Sequence, residues 1–140
     1  MNFIYNQFKQ TIGAPVTTDT VDFVSDTIKI ALLTSSYSPD REIDQYWSDI
    51  STYEVSGTGY TAGGFTLTNK SIQTIDYNVT WRSDPTSVAA DLADIRYAVM
   101  YKDTGTPTTS VLISLWDLGA QSTSVASFFN LIAATGYIKI

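Results

Sequence analysis

Asp40, Glu42 and Asp44 stand at alternate positions, with Asp49 and Glu54 further on, and offer oxygen ligands to a hard cation. A calcium loop begins with this spacing but needs Gly at its sixth position and Glu at its twelfth. Gln45 and Ser51 occupy those places, so the run reads as a solvated acidic loop. Gly57-Thr58-Gly59 and Gly63-Gly64 would suit a phosphate cradle if a helix followed and a lysine lay close. The strand-like Phe65-Thr66-Leu67-Thr68 follows instead, and the next lysine is Lys70, so these glycines read as turns that need positive φ. Serine and threonine make up about a quarter of the chain, yet there is no histidine to activate a hydroxyl and no cysteine. The residue types therefore argue for a protein that is not an enzyme, with no catalytic residue, no metal site and no cofactor.

The elements around these residues are those of one β-rich domain. A chain of 140 residues supplies one core comfortably and two only marginally. The low charged fraction of 16% is made up by Ser and Thr, and Thr suits a pleated, half-buried surface. Net charge is −6 with eight scattered basic residues, which disfavours nucleic acid, because phosphate binding needs clustered Lys and Arg. The segment MNFIYNQFKQ lacks the apolar core of a signal peptide, and no apolar run approaches a membrane span, so no membrane partner is expected.

Taken in order, Ile4, Phe8 and Ile12 recur every four residues and predict a short helix, with an extended arm as the alternative. Residues 1–15 form this N-terminal helix or arm, and residues 16–140 the β-rich body. Thr27–Thr34 is apolar on both faces and reads as a central strand. Ile43, Tyr46, Trp47 and Ile50 have helical spacing and predict one or two turns that insert Trp47 into the core. Short strands are expected at 53–56, 65–68, 78–82, 95–101, 111–118, 127–133 and 137–140, with weaker alternation at Ile72, Thr74 and Tyr77. A helical turn is expected within VAADLAD, and Lys102–Ser110 reads as a long Thr-rich hairpin loop. About seven or eight short strands with one or two small helices make an all-β sandwich or compact barrel. The apolar ending YIKI implies a C-terminus paired into a sheet, since a free edge of that kind invites aggregation.

The block YWSDISTYEVSGTGYTAGG, residues 46–64, follows DTIKIALLTSSYSPD and precedes RYAVMYKDTGTPTTSVLISLWDLG. With the YNQFK segment at residues 5–9, this order resembles a family of small virion proteins of tailed bacteriophages, akin to capsid decoration or cement proteins. The resemblance covers most of residues 5–118. It implies a non-enzymatic accessory protein that binds the outer surface of the major capsid lattice, as a homotrimer at quasi-threefold positions. Such a protein is assembled in the host bacterial cytoplasm and resides on the virion. A tail or head-fibre component, or a glycan- or receptor-binding module using Tyr37, Tyr46, Trp47, Tyr53, Tyr60 and Tyr77, is the alternative. The candidate interface residues are Tyr46, Trp47, Tyr53, Tyr60 and Phe65 in the block, Thr104 and Thr106 in the loop, and Phe3, Tyr5 and Phe8 at the N-terminus. The motive for the block and the loop is their density of Tyr, Gly and Thr outside the clean strands, and for the N-terminus that a short amphipathic terminus can swap onto a neighbour or lie on the shell.

Overall fold

The computed structural model describes residues 2–84, 92–121 and 138–139. Eight strands and two short helices fall within them: β1 (Asn2–Ile4), α1 (Asn6–Thr11), β2 (Ile28–Leu33), α2 (Trp47–Ile50), β3 (Phe65–Thr66), β4 (Ser71–Ile75), β5 (Asn78–Arg82), β6 (Ile95–Lys102), β7 (Leu112–Gln121) and β8 (Ile138–Lys139). They form a five-stranded sheet in the order β1-β7-β6-β2-β3 and a three-stranded sheet in the order β4-β5-β8. Every pairing is antiparallel. The expected all-β fold is the observed one.

Side chains alternate across a strand, so β2 and β6 each feed two apolar layers. Ile28, Ile30 and Leu32 join Ala98, Met100 and Ile113 on the face turned toward Trp81 of the smaller sheet. Ala31 and Leu33 join Val99, Tyr101 and Leu115 on the opposite face, under Trp47, Ile50 and Tyr37. The doubly apolar reading of residues 27–34 thus corresponds to a strand covered on both sides. One layer is a sheet packed on a sheet; the other is a cover of α2 and its flanking loops. Backbone bonds hold that cover to the start of β7: Trp47 N–H donates to the Ser110 carbonyl at 2.8 Å and Leu112 N–H to the Gln45 carbonyl at 2.9 Å.

The N-terminal segment is an arm and a helix in succession. β1 pairs with β7, placing Phe3 opposite Leu115, and α1 follows immediately. Tyr5 and Phe8 are buried, Phe8 meeting Trp81 edge-on at 5.7 Å. Through Tyr5 and Phe8 the segment from β1 to α1 is built into the same core as the body, while Ile12 beyond it is exposed.

Two expectations change in detail. The strand expected at 53–56 is a 3₁₀ turn, Ser51–Tyr53, followed by a single bridge from Glu54 to Leu33. Phe65–Thr68 contributes only a two-residue strand. The expected strand 127–133 and the turn in VAADLAD fall on or across positions outside the described residues. Ile138–Lys139 pairs with Thr80–Trp81, as the YIKI ending implied.

Gly64 and Gly105 both adopt left-handed backbone, at φ +86° and +84°, but in different surroundings. A Cβ on Gly105 meets open space, whereas one on Gly64 lies 2.0 Å from the Ile30 carbonyl oxygen. Thermal unfolding should therefore separate them: Gly105→Ala costs about 1–2 kcal/mol for the backbone alone, and Gly64→Ala, which must push β2 aside, costs more than about 4 kcal/mol. Equal losses would mean that the approach to Ile30 is not rigid.

Candidate functional site

The 46–64 block and the 102–110 loop, singled out separately in the sequence, meet at one cleft of about 270 Å³. Its walls include Lys29 from β2, Trp47 from α2, Glu54, Gly63, Tyr101 and Asp103. Lys29 and Tyr101 face each other across the β2–β6 pairing and so project from the same side of the sheet. Trp47 stacks on Tyr101 with ring centres 4.6 Å apart and planes 4° from parallel, which fixes the floor.

Glu54 is the hub. Its Oε1 accepts the Tyr60 hydroxyl at 2.8 Å and the Gly63 N–H at 2.7 Å. The Tyr60 oxygen in turn accepts the Leu32 N–H at 3.0 Å, and Tyr101 donates to the Gly63 carbonyl at 2.6 Å. These bonds replace a neighbouring strand. Beyond β3, the outer edge of β2 is closed by the Tyr60 hydroxyl and then by Val55, whose N–H donates to the Leu32 carbonyl at 3.0 Å. Thr34 N–H, next along, donates to the Tyr53 carbonyl at 2.9 Å.

Burial governs the titration of this group. Desolvation raises the Glu54 carboxyl above its ordinary range, outweighing the hydrogen bonds from Tyr60 and Gly63 and the charge of Lys29. Burial likewise raises the Tyr60 and Tyr101 hydroxyls, so both remain protonated donors. Desolvation also acts on Asp103, but the hydrogen bond from Lys29 at 2.7 Å, the Gly105 N–H and the lysine charge together hold it below the usual range. Chemically the cleft is a set of internal donors and acceptors matched to one another, a clasp more than a reaction centre.

The candidate interface residues divide accordingly. Tyr5 and Phe8 are corrected to core positions, since their rings are buried, and Trp47 takes the core place its helical spacing predicted and not an interface one. Tyr60 and Phe65 are partly buried against the core and pack edge-to-face at 5.7 Å, because Tyr60 must reach the β2 edge. Tyr46 is tied down by its hydroxyl, which donates to Asp19 at 2.8 Å. Phe3 is half-buried, lies edge-on to Tyr5 at 5.1 Å, and lines a second groove with Pro39, Asp40 and Arg41. Tyr53, Thr104 and Thr106 are exposed, and the Thr104 hydroxyl binds within its own loop, 3.1 Å from the Thr106 carbonyl. Of the six rings considered for sugar stacking, Tyr53 and Tyr77 are the exposed ones. In the acidic loop, Asp40 accepts the N–H groups of Glu42 and Ile43, and Asp44 accepts Tyr37 and the Asp40 N–H.

Sequence reasoning placed Tyr77 in a weakly alternating strand and among the possible stacking rings, and missed the turn that exposes it. Asp76 and Tyr77 form a two-residue turn between β4 and β5, both with positive φ, at 50° and 65°. Such a turn favours Asn, Asp and Gly, so a tyrosine in its second place is strained. Tyr77 is fully exposed, and Ile72 and Val79 behind it are 49% and 40% exposed. The signal available was Asp-Tyr between two alternating runs, without the glycine that marks a hairpin.

Fold and clasp together define a small all-β domain of two sheets whose central block seals a strand edge. No protein-family model, curated protein or solved structure matches the chain.

Two outcomes test the clasp. Tyr60→Phe removes the acceptor for the Leu32 N–H and should cost about 1–3 kcal/mol, with faster amide exchange at Leu32; unchanged exchange there would remove the hydroxyl from the edge. For Glu54, the raised folded pKa gives stability that is present below the ordinary carboxylate value and lost as pH rises through the folded one. The melting temperature of Glu54→Gln should therefore gain on that of the native chain between about pH 4 and pH 7. A difference that does not vary with pH would mean Glu54 titrates as if unfolded.

Proposed function

We propose that the chain is a non-enzymatic structural protein of a tailed-phage virion, decorating the outer surface of the major capsid lattice through the β4–β5 hairpin. The observation that carries a contact role is Tyr77: a fully exposed ring held in left-handed backbone, at a position where glycine would be more comfortable. Strain of this kind persists where the side chain is needed. Ile72 and Val79 add apolar surface to the same hairpin. The location on a capsid is supported by the resemblance of residues 5–118 to virion decoration proteins.

Three copies around a quasi-threefold position would let contacts of modest individual strength add through effective concentration. A sealed β2 edge suits such a protein, which has to remain dispersed before assembly. Co-sedimentation with capsids lacking the protein, and separately with purified tails, tests the proposal: saturable binding to capsids supports it, and binding to tails alone overturns the capsid assignment. Tyr77→Gly should raise stability by about 1 kcal/mol through relief of backbone strain and weaken capsid binding at least about ten-fold, which corresponds to 1.4 kcal/mol. Tighter folding with undiminished binding would take the hairpin tip out of the contact.

A further inference from the structure

The β4–β5 hairpin carries a second feature, distinct from its tip. Among the described residues β4 pairs on one side only, with β5, and its other side is the outer edge of the smaller sheet. Ile75 and Asn78 flank the two-residue turn and form its closing hydrogen-bonded pair. Alternation along the ladder then makes Gln73–Thr80 and Ser71–Arg82 hydrogen-bonded pairs as well. The N–H and C=O groups of Ile72 and Thr74 consequently point away from β5, toward the open edge.

Edge strands are ordinarily blunted by lysine, proline or a bulge. β4, Ser-Ile-Gln-Thr-Ile, has no charge and no proline, in a chain of net charge −6, and its register against β5 is unbroken. It is five residues long, against three in β1 and two in β3, the strands at the ends of the larger sheet.

We infer that β4 pairs antiparallel with β4 of a second copy, about a two-fold axis through Gln73. In that register Ile72 of each copy faces Thr74 of the other, and the two outward-pointing residues exchange four backbone hydrogen bonds. Ile72 projects to the same side as Trp81, its partner on β5, and Val79 shares that side. The axis stands perpendicular to the sheet, so the exposed Ile72 and Val79 of both copies come together on one face. A second copy is the favoured occupant because the strand is its own complement: the outward pair is symmetric about Gln73, and an uncharged edge adds no repulsion between two acidic chains. The contact is small beside the roughly 1,200 Å² of a stable specific interface, so it belongs to the transient class and strengthens when copies are concentrated on a lattice. It does not depend on what the hairpin tip touches.

The chain has no cysteine, which makes a covalent test clean. Gln73 faces itself across the axis at a non-hydrogen-bonded position, where Cα atoms approach to about 4.5 Å, within disulfide reach. Oxidised Gln73→Cys should form a disulfide-linked dimer in high yield, whereas Ser71→Cys, displaced from the axis, should not. Gln73 is exposed and, among the described residues, its side chain bonds to Ser71 Oγ alone, at 3.4 Å, so both variants should keep the native melting temperature. Sedimentation equilibrium supplies the reversible counterpart. Gln73→Lys should weaken concentration-dependent self-association at least ten-fold, and an equimolar mixture of Gln73→Lys with Gln73→Glu should restore it. Equal cross-linking at positions 71 and 73, or self-association indifferent to charge at Gln73, would each overturn the pairing. Loss of capsid binding by Tyr77→Gly with intact Gln73→Cys cross-linking, or the reverse, separates this inference from the proposed function.

Discussion

The outer edge of β2 is the constraint on which the rest of the molecule depends. β2 carries apolar side chains on both faces, so it has to lie inside the sheet, with its backbone groups satisfied on both sides. β6 covers one side over six residues. The other side meets the two residues of β3 and the Leu67 N–H, and the remaining groups are taken by the Tyr60 hydroxyl and by the backbone of Tyr53 and Val55. A phenol replaces part of a strand there, and Glu54 and Gly63 hold that phenol in place. Gly64 brings the chain against the Ile30 carbonyl, an approach that any side chain would block.

The opposite layer obeys a similar rule. Tyr5, Tyr37 and Asp44 form a line of hydroxyls ending on a carboxylate, which satisfies the polar ends of two buried rings. Lys102 and Lys70 attach the irregular stretch before β2: Lys102 donates to the Thr20 carbonyl at 2.8 Å and pairs with Asp26, and Lys70 donates to the Asp26 carbonyl. That attachment holds Phe23 against Trp81, stacked at 4.6 Å. Much of the chain outside the strands is thus engaged in covering two sheets of limited size. The β4–β5 hairpin departs from this pattern, with Ile72 and Val79 left partly exposed and a strained tip. A molecule that closes one vulnerable edge so thoroughly and, among the described residues, leaves another uncharged and open has reason to use the second.

Periodicity carried far in the sequence wherever one residue's neighbours decided its environment. Two-faced hydrophobicity at 27–34 identified the central strand, helical spacing at 43–50 placed Trp47 inward, and of the four glycines expected at positive φ, Gly59, Gly63 and Gly64 adopt it whereas Gly57 does not. Ile43, counted in the same helical set, is 74% exposed, because α2 begins only at Trp47. The aromatic density of residues 46–65 was legible as a unit, but its role was not. Whether a tyrosine faces a partner or its own strand edge depends on a backbone N–H from a residue 28 positions away, here Leu32.

By itself the sequence determined an all-β single domain without cysteine or histidine, its central strand, its hairpin loop and the left-handed turns at Gly59, Gly63 and Gly64, since each follows from local pattern or residue chemistry. Only the tertiary structure decided which rings are core, that the central block is a clasp, and that β4 lies at an edge. Strand order and edge position are set by contacts between distant segments, and a tyrosine at a turn or beside a glycine has the same local pattern whether it is buried or exposed.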